Sequence, residues 1–497
     1  MLRTEQPVLS HHAGLYDLIP EDHLLRKINA VVDFGFVCGL VRESYSECYG
    51  RPAVHPEIVM RLIFLQFLYG LSDEQVVQEA QVNLAYKWFL GINPEDRPPD
   101  SSVLSRFRTL RLARSEHTID AILDSIVSQC VQKGLVNSKR VVVDATHVLA
   151  DTKPRLPKEV LRSAANKIMR AMSKHYPKVA SELPAMPNVH DLEPNQAAEA
   201  LLNHLDGLVK QCEEKVVLKK GPVGDALKRA RKILNSEHRG MTKGPCSVED
   251  TDARFGHKTT THTFFGYKQH ISMLDGDEII VACKVTPGNV ADGQKLPELV
   301  EQSKRNVAEV NELLGDAAYC STENLKMMES QRVTGYVPVS DMLRARVHSG
   351  FEYNKDSDQW ICPAGHASYI KRRYKRSPAG SAPITGYIYQ WQSKHCKQCP
   401  LKLECRSRGG NCKGRELTIP EPKDEQKAAL ARERDAANAQ IRVRRSTIEH
   451  KCAELKRFCG LLRARYRSLL LVKLQAVLAS FVANAKRMTR LVAIAAA

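Results

Sequence analysis

Three carboxylate residues stand where their chemistry could be used. Asp144 follows the apolar run 141–143, and Asp316 follows a second apolar run at 310–315. We interpret both runs as buried strands that end in an aspartate, where a carboxylate is costly to bury without a partner or a metal ion. Two strand ends and a nearby helix can hold two divalent ions for phosphoryl transfer. An aspartate at a strand end is often only a turn or helix cap, so either residue alone would be weak evidence for this chemistry.

Glu449 is the third candidate and lies on a predicted helix with Arg445 and Lys456. At about 100° per residue, the four- and seven-residue steps between them bring all three side chains to one face. Arg445 and Lys456 would suit contacts with a phosphate. The alternative is a solvated helix with an ordinary Arg–Glu pair. An apolar stripe beside this face would press the helix onto a sheet; it comprises Ile448, Cys452, Leu455, Cys459 and Leu462.

The composition favours a polyanionic partner. Lys and Arg total 74 against 56 Asp and Glu, a formal net charge of +18, and such an excess is typical of nucleic-acid binding. Twelve of these basic residues, against four acidic ones, fall within 427–467, around the third carboxylate. A chain of 497 residues has room for two or three domains, which excludes a disordered tail or a miniature scaffold.

Neither export nor membrane insertion is predicted. Residues 1–10 lack the basic start and apolar core of a signal peptide. The most apolar stretch, 469–483, is interrupted by Lys473 and Gln475 and is shorter than the roughly 20 residues of a membrane helix. We therefore expect no membrane partner and a cytoplasmic, nucleoid-associated location.

Residues 1–125 are predicted to form a helical domain. Its first clear helix has apolar residues at helical spacing and stops at Gly70, and Ser72 with Gln75 would form a capping box that opens the next. A later helix is basic, which predicts a helix-turn-helix-like DNA-binding domain. The alternative is a plain bundle with a solvated basic face. The arginines proposed to contact DNA are Arg106, Arg108 and Arg111.

The rest of the chain is predicted to be an α/β core with two insertions. After the strand before Asp144, the next strands are expected at 265–273 and 279–286, joined by a turn. The helical insertion is interpreted as a spacer packed on the core, or as a DNA clamp or dimer element. The predicted bounds are 136–345 plus 425–497 for the core, 151–250 for the helical insertion and 346–424 for a Cys-rich insertion.

The cysteines of the second insertion could bind zinc. Fourteen cysteines without an export signal indicate reduced thiols rather than disulfides. Cys396 and Cys399 form a CxxC pair, and Cys362 and Cys405 could complete a tetrahedral Zn²⁺ site. The alternative is that all four are ordinary reduced cysteines. Other residues that could replace one ligand are His366, His395 and Cys412.

These motifs resemble those of bacterial insertion-sequence transposases with a DDE catalytic core of ribonuclease-H-like fold and a Tyr-Arg-Glu-Lys signature. The similarity spans nearly the whole chain. One departure is Arg442, which stands where the signature has Tyr. The similar segments are 55–114, 143–146, 265–268, 285–289, 314–319, and Arg445 with Glu449 and Lys456.

The resemblance implies a reaction and partners. Asp144, Asp316 and Glu449 would bind two Mg²⁺ or Mn²⁺ ions, water would cut the end of a mobile element, and the freed 3′-OH would attack target DNA. Lys268 would join the DNA contacts. Double-stranded DNA is the expected partner, bound by a homodimer on paired ends. The alternatives are a related two-metal nuclease and a transposase-derived DNA-binding protein without catalysis.

Overall fold

A computed structural model describes most of the chain. The described residues are 10–46, 49–50, 52–216, 221–236, 244–258, 262–339, 350–354, 356–377, 384–405, 414–421 and 424–496. Up to residue 132 their regular elements are helices: a 3₁₀ turn at His11–Leu18, then α1 (Leu24–Val31), α2 (Phe36–Val41), a 3₁₀ turn at Arg42–Ser44, α3 (Pro56–Tyr69), α4 (Asp73–Val82), α5 (Leu84–Leu90), α6 (Ser101–Leu110), a 3₁₀ turn at Leu112–Arg114 and α7 (Glu116–Gln132).

Two helix boundaries in this region follow from local sequence. Gly70 ends α3 in the left-handed conformation at φ 70°, which glycine adopts without steric cost. Ser72 and Gln75 form the reciprocal capping box that opens α4. Both boundaries confirm the sequence-based prediction, because each depends only on residues within one turn.

A six-stranded mixed sheet follows the helices. Its order is β2–β3–β1–β5–β6, and β4 also pairs with β3. β1 is antiparallel to β3 and parallel to β5. The strands are β1 (Arg140–Leu149), β2 (Arg254–His257), β3 (Thr263–Leu274), β4 (Ile280–Pro287), β5 (Glu312–Leu314) and β6 (Thr334–Tyr336).

β1 is longer than predicted. Asp144 lies in the middle of this strand, not at its end, because β3 continues to pair with β1 as far as Leu149 opposite Gly266. Gly266 permits this close approach, since a Cβ there would lie 2.1 Å from the Val148 carbonyl oxygen. β3 therefore pairs with β1 both before and after Asp144, which lies opposite Ile271.

Four helices fill the segment between β1 and β2. They pack around an apolar core of their own, in which Ile168, Leu205 and Leu208 are fully buried. This is the region in which a helical insertion was predicted. The helices are α8 (Pro157–His175), α9 (Pro177–Ala180), α10 (Pro194–Lys215) and α11 (Pro222–Leu234).

The segment after β6 has a small core of its own, centred on Trp360, Tyr389 and Trp391. A three-stranded sheet and a two-stranded ladder build it. Before it, 3₁₀ turns and two helices connect the strands of the main sheet: Asp292–Lys295, α12 (Leu296–Asn306), Ala317–Tyr319 and α13 (Thr322–Ser330). The later elements are β7 (Glu352–Asn354), β8 (Gln359–Ile361), β9 (Ile370–Arg376), β10 (Ile384–Gln390), α14 (Ser393–Lys397), α15 (Lys402–Cys405) and β11 (Glu416–Pro420).

The chain ends in helices, of which the last joins the N-terminal helices to the sheet. Phe481 on this helix contacts the rings of Phe34 and Phe64, with centroids 5.9 and 6.0 Å apart. Asn484 binds the backbone N–H and carbonyl of Ile280, both at 2.8 Å. These helices are α16 (Asp424–Arg434), a 3₁₀ turn at Ala436–Asn438, α17 (Ala439–Val443), a 3₁₀ turn at Arg444–Ser446, α18 (Thr447–Phe458) and α19 (Leu469–Ala496).

One hydrophobic core therefore extends from the N-terminal helices to the mixed sheet. The predicted boundary after residue 125 separates elements that share this core. Within the described residues, Leu469–Ala495 of α19 is the one helix long and apolar enough to cross a membrane, and 78% of its most apolar window is buried inside the protein. Such burial is typical of a core helix.

Candidate active site

Two of the three predicted carboxylates lie at the same edge of the sheet. β1 and β5 are parallel neighbours, and Val142 pairs with Leu314 at the end of their ladder. Asp144 and Asp316 each stand two residues beyond this pair. The structure therefore brings both aspartates to the point where the two strands stop pairing.

Asp144 is half-buried and surrounded by charge. Its Oδ1 accepts a hydrogen bond from the Ala145 N–H at 2.8 Å. Burial raises the pKa of Asp144 to about 6, the charges of Asp316 and Asp292 add to this rise, and the Ala145 N–H and Arg445 oppose it. A divalent cation would offset the repulsion among such carboxylates.

Asp316 caps the short turn that follows β5. Its Oδ1 accepts a hydrogen bond from the Ala318 N–H at 3.0 Å. Burial raises the pKa of Asp316 and the charge of Asp292 adds to it, while the Ala318 N–H and the Lys268 ammonium act in the opposite direction. Asp316 and Asp144 therefore share both a location and a neighbouring carboxylate.

That neighbour, Asp292, was not among the predicted site residues. It opens the 3₁₀ turn after β4, and Lys268 on β3 donates to its Oδ1 at 2.7 Å and to the Val290 carbonyl at 3.0 Å. The signal was present, since Asp292 follows the segment 285–289 that was already assigned to a family motif. Lys268, predicted to contact DNA, is here the counter-ion of Asp292.

Glu449 reaches the same region from α18. Ile448 and Leu455 of this helix are buried, and Glu449 is exposed in its first turn. Cys452 lies on the same helix between Ile448 and Leu455. Burial raises the pKa of its thiol to about 12, and the charges of Asp144 and Glu449 add to the rise. Cys452 is thus close enough to both carboxylates for their charges to raise its pKa.

The three carboxylates do not form a closed metal site. In the part of the chain that the structure describes, no three His, Cys, Asp or Glu side chains are arranged to hold a metal ion. The donor set nevertheless fits Mg²⁺ or Mn²⁺, which prefer carboxylate oxygens. A site with all three ligands requires Glu449 to approach Asp144 and Asp316.

Lys456 lies on α18 with Glu449, as predicted, but Arg445 is placed differently from the prediction. Arg445 lies in the 3₁₀ turn before α18 and not on the helix, although its charge lowers the pKa of both Asp144 and Asp316. The predicted apolar stripe also ends early: Leu462 is exposed, because α18 stops at Phe458.

Lys456 approaches a histidine of β1. Its Nζ lies 3.3 Å from His147 Nδ1, and burial together with the Lys456 and Lys258 charges lowers the pKa of His147 to about 4. The imidazole is therefore neutral near pH 7 and can accept a hydrogen bond from the ammonium. The ring of His147 lies next to that of Phe264, at 5.1 Å between ring centroids.

The arginines of α6 do not share one surface. Arg106 is exposed, whereas Arg108 is 3% exposed. Arg108 forms an ion pair with Asp73, and its guanidinium lies 5.1 Å from the ring centroid of Tyr466. Arg108 thus joins α4 and α6 to the C-terminal segment. Its guanidinium is buried against these partners and is not exposed for a contact with DNA.

Arg111 also contacts the protein itself. Its guanidinium donates to the Ser44 carbonyl and stacks over the Tyr45 ring at 4.2 Å. These contacts hold the end of α6 against the turn before α3. Arg106 is therefore the predicted DNA contact on α6 whose side chain remains exposed.

The predicted zinc ligands line one small cavity. The cavity is bordered by Cys362, Cys396, Cys399 and Cys405. Burial raises the pKa of the Cys405 thiol, the charge of Arg415 lowers it, and the other three cysteines raise it further. His366 and His395 lie on the same cavity with their rings stacked at 4.3 Å. As stated above, the described side chains form no metal-binding group here. Cys412 lies outside the described residues, as does the side chain of Arg442.

The chain matches two protein-family models. The Transposase domain (DUF772) model matches residues 14–110, and the Transposase DDE domain model matches 235–485, slightly more than half of the chain. No curated protein gave a match. The second match includes Asp316 and Glu449 but begins after Asp144, which the helical segment after β1 separates from it. The family implies a ribonuclease-H-like core, DNA as partner and a divalent metal such as Mg²⁺. The chain belongs to the insertion-sequence DDE transposases.

Proposed function

We propose that this transposase binds the terminal inverted repeats of an insertion sequence, cleaves the element ends by metal-dependent phosphodiester hydrolysis and joins the 3′-OH to target DNA. The observation that carries the proposal is the placement of Asp144 and Asp316 together where the parallel pairing of β1 with β5 stops. The shared influence of Asp292 and Arg445 on their pKa values supports it.

The acidic residues would bind the metal ions, and the basic residues would bind DNA phosphates. Asp144, Asp316 and Glu449 would hold two Mg²⁺ or Mn²⁺ ions, which when bound activate the attacking oxygen and stabilise the leaving one. Arg445, whose charge reaches both aspartates, would bind the scissile phosphate through two N–H groups. Lys456 beside His147 would hold a neighbouring phosphate as a point charge.

The proposal is tested on duplexes that carry the ends of the element encoding this chain. Wild-type protein with Mg²⁺ or Mn²⁺ is expected to nick the labelled end and to join the freed 3′-OH to a supercoiled target. Cleavage without joining would support the related two-metal nuclease instead. Binding without cleavage under either metal would support a transposase-derived DNA-binding protein.

Two arginines of α6 offer a matched test of DNA binding. Arg106→Ala is expected to weaken binding of the end duplex at an unchanged melting temperature and to reduce the salt slope of log K by about one, since it removes a phosphate contact. Arg108→Ala is expected instead to lower the free energy of unfolding by about 1–3 kcal/mol, because Asp73 loses its buried partner.

Binding titrations at several salt concentrations and urea denaturation measure the two effects. If Arg106→Ala bound DNA with the affinity and salt slope of wild type, the exposed face of α6 would not be a DNA contact. A wild-type stability for Arg108→Ala would show that its ion pair with Asp73 contributes little.

A structural Zn²⁺ ion on Cys362, Cys396, Cys399 and Cys405 is a separate part of the proposal. The common cavity of the four thiols supports it, although their present arrangement would have to tighten to Zn–S distances of about 2.3 Å. Wild-type protein is then expected to contain one zinc per chain by elemental analysis, and Cys399→Ser to lose it. Cys38→Ser, at a half-buried thiol of α2, should retain the metal. Zinc-free wild-type protein would contradict this part.

Two element ends must be brought together for joining, so we also propose a homodimer on paired ends. Sedimentation of the protein with paired-end DNA should show two chains per complex. A monomer on such DNA would overturn the dimer and leave the cleavage proposal standing.

A further inference from the structure

Tyr319 carries a buried hydroxyl that the described structure leaves without a hydrogen-bond partner. The side chain is 1% exposed. A buried hydroxyl without a partner costs about 1–3 kcal/mol, so such groups are rare and call for an explanation. The candidate active site supplies one.

The packing places Tyr319 beside β1 and beside the residue that follows β5. A Cβ built on Gly315 would lie 3.0 Å from Tyr319 Cδ2 and 3.1 Å from Val143 Cγ2. The ring therefore lies over Gly315, next to the residue that precedes Asp144. A side chain at position 315 would therefore press against this ring and against Val143.

The backbone of Tyr319 is held by a side-chain hydrogen bond. The Asn324 side-chain amide donates to the Tyr319 carbonyl at 3.1 Å and to the Gly293 carbonyl at 2.9 Å. Because Gly293 follows Asp292, one amide ties the turn of Asp292 to the turn of Asp316. Tyr319 is thus held between the loops that carry two of the carboxylates.

The electrostatic surroundings agree with this placement. Burial raises the pKa of the Tyr319 hydroxyl strongly, and the charges of Asp144, Asp292 and Asp316 raise it further. The phenol consequently remains protonated, and its O–H is a donor whose pKa is influenced by all three of these carboxylates. Since the Ala145 and Ala318 N–H groups already bind one oxygen each of Asp144 and Asp316, a donor for the second oxygen would complete the hold on a ligand.

We propose that Tyr319 is a positioning residue that donates a hydrogen bond from its hydroxyl to a carboxylate oxygen of Asp144 when the site binds its divalent ions. The inference rests on the proposed function, because it needs Asp144 to be a metal ligand. Bonds of this kind orient a ligand, and their loss typically weakens metal affinity by about 10–100-fold.

The test measures Mn²⁺ binding to the full chain by electron paramagnetic resonance, and melting of the metal-free protein. Tyr319→Phe is expected to weaken Mn²⁺ binding about tenfold or more, with a metal-free melting temperature equal to or above that of wild type. Tyr267→Phe is the matched control, since Tyr267 is fully buried but its hydroxyl donates to Asp250. It should lower the melting temperature and leave Mn²⁺ binding intact.

Asp316→Asn distinguishes a failure of the Tyr319 hypothesis from a failure of the proposed metal site. If it loses Mn²⁺ binding while Tyr319→Phe binds like wild type, the role of Tyr319 is overturned and the proposed function stands. If Asp316→Asn also binds like wild type, the metal site itself is wrong. A metal-free Tyr319→Phe protein that melts as early as Tyr267→Phe would assign Tyr319 a purely structural role.

Discussion

Replacing Asp316 with asparagine is expected to abolish cleavage of element-end DNA while leaving DNA binding intact. The substitution keeps the shape of the side chain, and its amide oxygen can still accept the Ala318 N–H that now binds Asp316 at 3.0 Å. The turn after β5 should therefore persist. What is lost is the negative charge with which a carboxylate binds a divalent ion more strongly than a neutral amide does.

The size of the effect follows from what the metals contribute. Stabilisation of the attacking and leaving oxygens supplies several kcal/mol, so loss of a ligand should slow cleavage by about a thousandfold or more. Asp144→Asn and Glu449→Gln should behave alike if all three carboxylates act as one unit. Single-turnover cleavage of a labelled end duplex measures each rate.

Asp151→Asn is the matched control for this series. Asp151 lies just beyond β1, is exposed and pairs with Arg467 at 3.3 Å, an ion pair at the surface that contributes little to stability. Its variant should cut at the wild-type rate. If Asp316→Asn cut as fast as Asp151→Asn, the aspartates at the sheet edge would not be the catalytic carboxylates.

Local sequence predicted the elements whose signals are local. The end of α3 at Gly70 and the capping box of Ser72 needed only neighbouring residues. The hairpin of β3 and β4 was equally accessible, because a turn signal separates two apolar runs. For the same reason Asp144 and Asp316 could be recognised as carboxylates that follow apolar runs of sequence.

Features that depend on distant partners were not accessible in this way. The length of β1 beyond Asp144 is set by its pairing with β3, more than a hundred residues later. Asp292 lies near the two aspartates because it opens the turn that follows β4, where it pairs with Lys268. A local sequence pattern does not predict which loops lie close together in the fold. Arg445 has helical spacing to Glu449, yet the chain forms a 3₁₀ turn there.

The domain boundary shows the same limit. A basic helical region at the N-terminus predicts a helix-turn-helix-like DNA-binding domain but does not predict that its Phe34 and Phe64 pack against Phe481 of α19. Sequence patterning identifies the apolar face of each helix without identifying what that face covers. The N-terminal helices and the sheet are therefore expected to unfold together, which a stability measurement can examine.

Asp120→Asn is the substitution expected to destabilise this shared core most. Asp120 on α7 lies 2.9 Å from Lys473 of α19 and 2.8 Å from Lys284 of β4, so one carboxylate joins three distant segments. Lys473 is 4% exposed, and burial lowers its pKa while the ion pairs with Asp120 and Glu116 raise it above the usual value. The ammonium thus stays charged inside the protein because Asp120 and Glu116 both pair with it.

Removing that charge leaves two ammonium groups with too few partners. Loss of one member of a buried ion pair typically costs about 3–5 kcal/mol, and urea denaturation of Asp120→Asn should show a fall of this size. Glu309→Gln is the control, since its pair with Lys139 is exposed at both side chains, by 54% and 61%, and is worth at most about 1 kcal/mol. A wild-type stability for Asp120→Asn would mean that solvent reaches both lysines. A fall detected by probes in the N-terminal helices and in the sheet at the same urea concentration would show that the two regions fold as one unit.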